Sequence, residues 1–277
     1  MNNKEYLDST ARIKELVDKL RLASKAYYSE DREIMSNYEY DAMYDELEKL
    51  EKETGIILAN SPTVNVGFEA VETLPKETHE TPMLSLDKTK DREVLRGFIG
   101  DHKTLLSWKM DGLTIVLTYQ NGTLEQAVTR GNGIAGEVVT NNARVFANLP
   151  VHIPYKGRLV LRGEAIITYS DFEKINESIA DIDAKYKNPR NLCSGSVRQL
   201  NNRITAERNV RFYAFGLVSA QDVFFDNARE QQMLWLQKQG FETVEFRCVT
   251  AKDLDEAMDY FAAQIQQNDF PSDGLVA

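Results

Sequence analysis

Apolar residues recur at helical spacing through the first fifty positions. In STARIKELVDKLRLASKAYY (9–28), Ile13, Leu16, Val17, Leu20 and Leu22 fall near the 3.6-residue period, which predicts a helix with Ser9 or Thr10 as its N-cap. SNYEYDAMYDELEKLEKETG (36–55) repeats the signal: Ser36 can cap, Glu39 three residues on completes a capping box, and Gly55 stands past the end. The polar connector SEDREIM joins the two, so residues 1–60 are expected to form a helical hairpin. Five tyrosines crowd it (Tyr27, Tyr28, Tyr38, Tyr40 and Tyr44), where packing alone would favour Leu or Ile over so many hydroxyls.

Residues 56–90 lack a clear period and contain Pro62, Pro75 and Pro82, so they read as an ordered linker, and residues 53–70 are of the kind that hinges. A helix, DREVLRGFIGD (91–101), follows, and the period then changes to two. Strands are predicted over 104–110, 113–119 and 123–130, the last two joined by the hairpin signal QNGT. RLVLRGEAIIT (158–168), VRFYAFGLV (210–218), ETVEFRCVT (242–250) and PSDGLVA (271–277) read as further strands. Between them, SDFEKINESIADI with Ser170 as cap, DNAREQQMLWLQKQG closed by Gly240, and AKDLDEAMDYFAAQIQQ read as helices. Strands in clusters with helices between them favour an α+β fold with a mainly antiparallel sheet.

Composition adds exclusions. The chain of 277 residues is 42% hydrophobic and 27% charged, ordinary for a globular protein. No apolar run approaches the ~20 residues that span a bilayer, and MNNKEYLDST has no apolar signal core, so a cytoplasmic location and no membrane partner are expected. Cys193 and Cys248 lie far apart without CxxC spacing, which suits a reducing compartment and argues against a cysteine metal site. A net charge of −10 argues against a general nucleic-acid coat. Locally the balance reverses, for residues 185–211 hold seven Lys or Arg against the single acid Glu207. That stretch is either a polyanion site or a solvated charge run.

The chemistry concentrates in SWKMDGLTIVL (107–117). Lys109 and Asp111 interrupt an apolar strand, where a charge is costly unless it is paired or used. An amine desolvated by apolar neighbours such as Trp108 becomes a nucleophile more readily. Asp111, two residues on, would share its strand face and could orient the amine, hold a metal or take a ribose hydroxyl. The bland alternative is a lysine snorkelling from a strand end beside a turn-forming aspartate. TRGNG (129–133) then offers Arg130 and glycines whose amides could meet phosphate, RGE (162–164) a second carboxylate, and DGLV a motif at the end of the chain.

In this order KMDG, TRGNG, RGE and DGLVA resemble the motifs of the covalent nucleotidyltransferases, the DNA ligases and mRNA-capping enzymes. SPTVNVG, HETPMLSLDKT, FEKIN and NPRNLCSGSVRQL narrow the resemblance to the bacterial NAD-dependent DNA ligases, from about residue 12 to the last residue. The resemblance implies a helical subdomain (1–60) that binds the nicotinamide mononucleotide (NMN) half of NAD, then a nucleotidyltransferase core (61–277). Lys109 would attack the α-phosphate of NAD, NMN would leave, and AMP would stay on the lysine. Asp111 and Glu164 would hold ribose, lysine or Mg²⁺, and Arg130 ribose or phosphate. Ser85 and Leu86 match positions lining the adenosine. Arg190, Arg198 and Arg203 match a surface that engages the AMP phosphate or nicked DNA. Tyr27, Tyr28, Asn37, Tyr40 and Asp41 fall in the segment that binds NMN, where an aromatic face and a carboxylate suit the cationic nicotinamide.

The sequence departs from the family's usual residues at Tyr28 (histidine), Asn37 (aspartate), Ser107 (glutamate) and Asn132 (aspartate). NLCSGS stands where an alanine-rich version is common, and Ala277 falls one residue short of the lysine in the family pattern DG-x-V-x-K. The expectation is therefore a core truncated at its C-terminal end that at most adenylates itself and does not seal nicks alone; a monomer is the simplest assembly. Two rival readings are an ATP-dependent nucleotidyltransferase, disfavoured by residues 1–52, and a non-catalytic NAD-binding paralogue. An acidic scaffold protein is the bland reading.

Overall fold

The structure, a computed structural model, describes residues 3–30, 34–64, 71–181 and 185–277. In chain order its elements are α1 (Asn3–Glu30), α2 (Asn37–Thr54), β1 (Ile57–Leu58), β2 (Lys76–Thr78), α3 (Arg92–Ile99), β3 (Thr104–Met110), β4 (Leu113–Gln120), β5 (Thr123–Thr129), β6 (Ala135–Glu137), α4 (Thr140–Ala143), β7 (Pro150–His152) and β8 (Leu159–Ile166). They continue with α5 (Tyr169–Glu177), α6 (Pro189–Val197), α7 (Asn202–Glu207), β9 (Arg211–Ala220), α8 (Arg229–Lys238), β10 (Phe246–Val249), α9 (Leu254–Gln264) and β11 (Ser272–Val276).

The helical hairpin forms around Ile13, Leu16, Val17, Leu20 and Leu47, which pack with Ile56 and Leu58. Leu22 does not join them and is 60% exposed, because nine positions from Ile13 is half a turn round the helix. Neither Ser9 nor Thr10 caps α1, which starts earlier; Thr10 instead donates to the Tyr6 carbonyl one turn back. At α2 the expected capping box is present, with Ser36 and Glu39 bonded reciprocally, and Gly55 closes the helix at φ +72°. β1 pairs with β7 and so joins the hairpin to the sheet, supported by a Lys14–Glu242 ion pair at 3.2 Å.

The remaining strands are antiparallel, as the pattern predicts, but they divide between sheets. Six run in the order β1-β7-β5-β4-β8-β9 and three in the order β10-β3-β11, while β2 and β6 form a separate pair. Asn121 and Gly122 both take positive φ, so QNGT is the tight hairpin turn expected. The segment predicted as one strand over 242–250 is split. Thr243 bridges to Ala214 on the edge strand β9, and only Phe246–Val249 pairs with β3. Thr168, not Ser170, caps α5; the Ser170 hydroxyl is taken by Asp269 instead.

One face of the large sheet, carrying Ile115, Leu117, Tyr119, Leu161 and Phe212, forms the main core with Leu192 and Val197 of α6 and Leu236 of α8. The small sheet packs Leu106 and Trp108 against α3 and α9, and Trp108 meets Phe261 edge-on at 4.9 Å. The two sheets join at Asp111–Gly112, between β3 and β4. A Cβ on Gly112 would lie 2.0 Å from the Ala165 carbonyl and 2.8 Å from Ile166, so the corner closes only with glycine. Gly112→Ala is expected to lower stability by about 3 kcal/mol or more, read as a fall in the urea midpoint.

Candidate active site

Lys109 is the penultimate residue of β3, the small sheet's central strand. Trp108 turns into the core behind it, so the lysine faces the other way and is not desolvated by that ring. Its side chain is 38% exposed and is held by Asp273, whose two oxygens accept from Nζ at 2.6 and 2.7 Å. The backbone explains this aim. β11 pairs Ser272 with Met110 and Gly274 with Lys109, leaving Asp273 as the extra residue of a bulge.

The expected Lys109–Asp111 pairing does not form. β3 stops at Met110, the Asp111 amide donates to Pro271, and its carboxylate accepts from Arg190 in the first turn of α6. The pair holds the Arg190 guanidinium above its ordinary pKa, with Asp111 as the main cause.

Glu164 lies on the outer face of the large sheet, directly across from Thr114. It is 8% exposed, and its oxygens accept from the Gly112 amide at 3.1 Å and the Thr114 hydroxyl at 2.8 Å. Burial pushes its carboxyl up to about 7, against the opposing pull of those two bonds, Arg190 and Lys109. These influences link the lysine, both ion pairs and the buried acid as one cluster.

Arg130 joins the same face beside Thr114, its amide bonded to the Thr114 carbonyl and its guanidinium to the Met83 carbonyl at 3.3 Å. The TRGNG amides do not all point outward as expected. Those of Asn132 and Gly133 are used within the turn, and the Asn132 side chain accepts from Ile134 and Ala135, so this residue shapes the loop. Ser85 and Leu86 are exposed just beyond Met83.

Other expected residues stand apart. Arg198 follows α6 at the end opposite Arg190 and is taken by Glu137 and Ser194, while Arg203 pairs with Glu207 on the surface. In α2, Tyr40 shares a hydrogen bond with Ser24 and stacks on Tyr44, and Lys109 is bonded to Asp273 instead of to Tyr40 or Asp41. The side chains of Tyr27, Tyr28 and Asn37 lie outside the described residues. Among the described residues no group of three or more His, Cys, Asp or Glu could hold a metal ion. Of the two carboxylates expected to hold Mg²⁺, Asp111 is bonded to Arg190 and Glu164 to Gly112 and Thr114. Sequence reasoning missed Asp273 and Thr114, although DGLV had drawn attention to the first.

The family model of the NAD-dependent DNA ligase adenylation domain matches residues 71–277, and that of the DNA ligase-like, N-terminal NAD+-binding domain matches residues 7–67. The chain belongs to the NAD-dependent DNA ligase family. A DNA ligase of Ruminiclostridium cellulolyticum is 62% identical over 269 residues, covering 97% of this chain and 41% of that protein. A DNA ligase of Lachnoclostridium phytofermentans is 61% identical, covering 96% and 41%, and one of Campylobacter fetus 37% identical, covering 92% and 39%. The chain thus spans about two fifths of the length of the curated relatives it matches. Among the described residues no helix is long and apolar enough to cross a membrane.

Within this ligase-family site the sign of the Glu164 titration is testable. Its native pKa is raised, so its contribution to stability is full below the ordinary carboxylate value of 4.5 and is lost as pH rises through about 7. Urea titrations should show the unaltered chain losing stability relative to Glu164→Gln across that window, by about 1.4 kcal/mol per pH unit at most. Parallel pH profiles for the two chains would contradict the burial argument.

Proposed function

We propose that this chain performs the adenylation step of an NAD-dependent DNA ligase, with Lys109 as nucleophile. The observation carrying the proposal is the Lys109–Asp273 pair at a sheet corner beside the buried Glu164, in a chain of this family. Lys109 Nζ attacks the α-phosphorus of NAD as the free amine. A nitrogen–phosphorus bond forms, the bond to the bridging pyrophosphate oxygen breaks, and that oxygen keeps the electron pair and leaves with NMN. Asp273, already accepting from Nζ, is the group best situated to take the lysine proton. Glu164 and Arg130 would hold the ribose, and Arg190 would exchange Asp111 for phosphate. Ser85 and Leu86 would line the adenosine.

In the same reading residues 1–60 are the subdomain that binds NMN and 61–277 the adenylation core. Tyr27, Tyr28, Asn37, Tyr40 and Asp41 would serve the nicotinamide half. Mg²⁺ would arrive on the substrate phosphates, an ion that needs only one or two carboxylates. The AMP would go on to the 5′-phosphate at a nick in double-stranded DNA, in the cytoplasm, with the protein a monomer. Arg198 and Arg203 would serve the DNA or the AMP phosphate.

Intact-mass spectrometry after incubation with Mg²⁺ and either NAD or ATP tests the proposal. One AMP should be gained with NAD only, with none on Lys109→Ala, and Asp273→Asn should react about 10²-fold more slowly or worse. An adduct that persists on Lys109→Ala, or that forms from ATP instead, would overturn it.

A further inference from the structure

Residues 76–83 cross the outer face of the large sheet as a strap. β2 pairs with β6, and the His79 and Met83 amides donate to Ile134 and Gly133 at 2.8 and 2.9 Å. Side chains rising from the sheet complete the fastening. Arg158 binds both oxygens of Glu80, Arg162 Nη2 donates to the Thr81 carbonyl at 2.8 Å and to Pro82 at 3.4 Å, and Arg130 takes Met83. Past Met83 the chain emerges into solvent, with Leu84 84% and Leu86 63% exposed.

Arg162 is poorly situated for stability. It stands across β4 from Val128, two residues along from Arg130, and so on the same sheet face. Burial and then the charge of Arg130 hold its guanidinium below its ordinary pKa, and its Nε is buried without a partner. Among the described residues no carboxylate pairs with either arginine. A half-buried cation beside a like charge loses solvation and meets repulsion, so its charge does not favour the fold. What the guanidinium does supply is direction, since it grips two successive carbonyls just before the exposed segment.

We infer that Arg162 is a positioning residue, which by holding the Thr81 and Pro82 carbonyls sets the path of Leu84, Ser85 and Leu86 and so forms the wall against which the adenosine of NAD packs. The inference rests on the function proposed above. It assigns Arg162 no contact with the reacting atoms, so substrate affinity should depend on it and the chemical step should not.

Three variants test this: Arg162→Gln removes the grip, Arg162→Lys keeps one ammonium for both carbonyls, and Arg158→Gln releases only Glu80. NAD affinity is measured by calorimetry, adenylation by intact mass at saturating NAD, and strap protection by hydrogen exchange at Met83 without ligand. Arg162→Gln should bind NAD about tenfold more weakly and exchange Met83 about tenfold faster, with its saturated rate within about twofold of the parent. Arg162→Lys should recover most of the affinity, and Arg158→Gln should stay near the parent. If the parent binds NAD and is adenylated while Arg162→Gln matches its affinity, or loses only its saturated rate, this inference fails alone. A parent that neither binds NAD nor is adenylated overturns the proposed function and this inference together.

Discussion

The chemistry of this chain depends on the missing side chain at residue 112. Only a glycine lets the backbone pass within contact of Ala165 and Ile166, and the amide it brings there is a donor to the buried Glu164. That contact fixes the end of β3 against the face of β4 and β8. Lys109 therefore stops at the border between two sheets, and the bulge in β11 turns Asp273 toward it. A side chain at 112 would shift the lysine, its partner and the buried acid together.

The charges around this corner differ in kind. The Lys109–Asp273 and Arg190–Asp111 pairs are half-exposed, and pairs of that sort contribute only about 0–1 kcal/mol. They cost little to break, so an incoming phosphate can displace either carboxylate. Glu164 is the opposite case: burial raises its pKa, and two hydrogen bonds from rigid elements fix its position. A buried carboxyl fixed in place and flanked by two exchangeable cations is a suitable reception for a ribose phosphate.

Much of this was legible in the residues, and what was not has physical reasons. Period and turn chemistry gave α2 with both caps, the QNGT hairpin and the antiparallel class, because those signals are local. The order of KMDG, TRGNG and RGE pointed to Lys109, Arg130 and Glu164, which do share one region. The partner of the lysine was not legible, because a β-bulge depends on pairing between strands far apart in sequence. The same holds for Arg190 on Asp111, a contact made through the packing of α6. That helix lacks a strong apolar period; its signal was Asn188 as cap followed by Pro189, which went unread. The resemblance and a shared basic stretch group Arg198 with Arg190, yet the two stand at opposite ends of α6 and Glu137 pairs with Arg198.

The central claim is that Lys109 is the group that receives AMP. A crystal structure of the chain after reaction with NAD tests it most directly. The account predicts continuous density from Lys109 Nζ to a single phosphorus, the ribose beside Glu164, and Asp273 released from the lysine. Intact NAD bound away from Lys109, or AMP attached to any other residue, would contradict it.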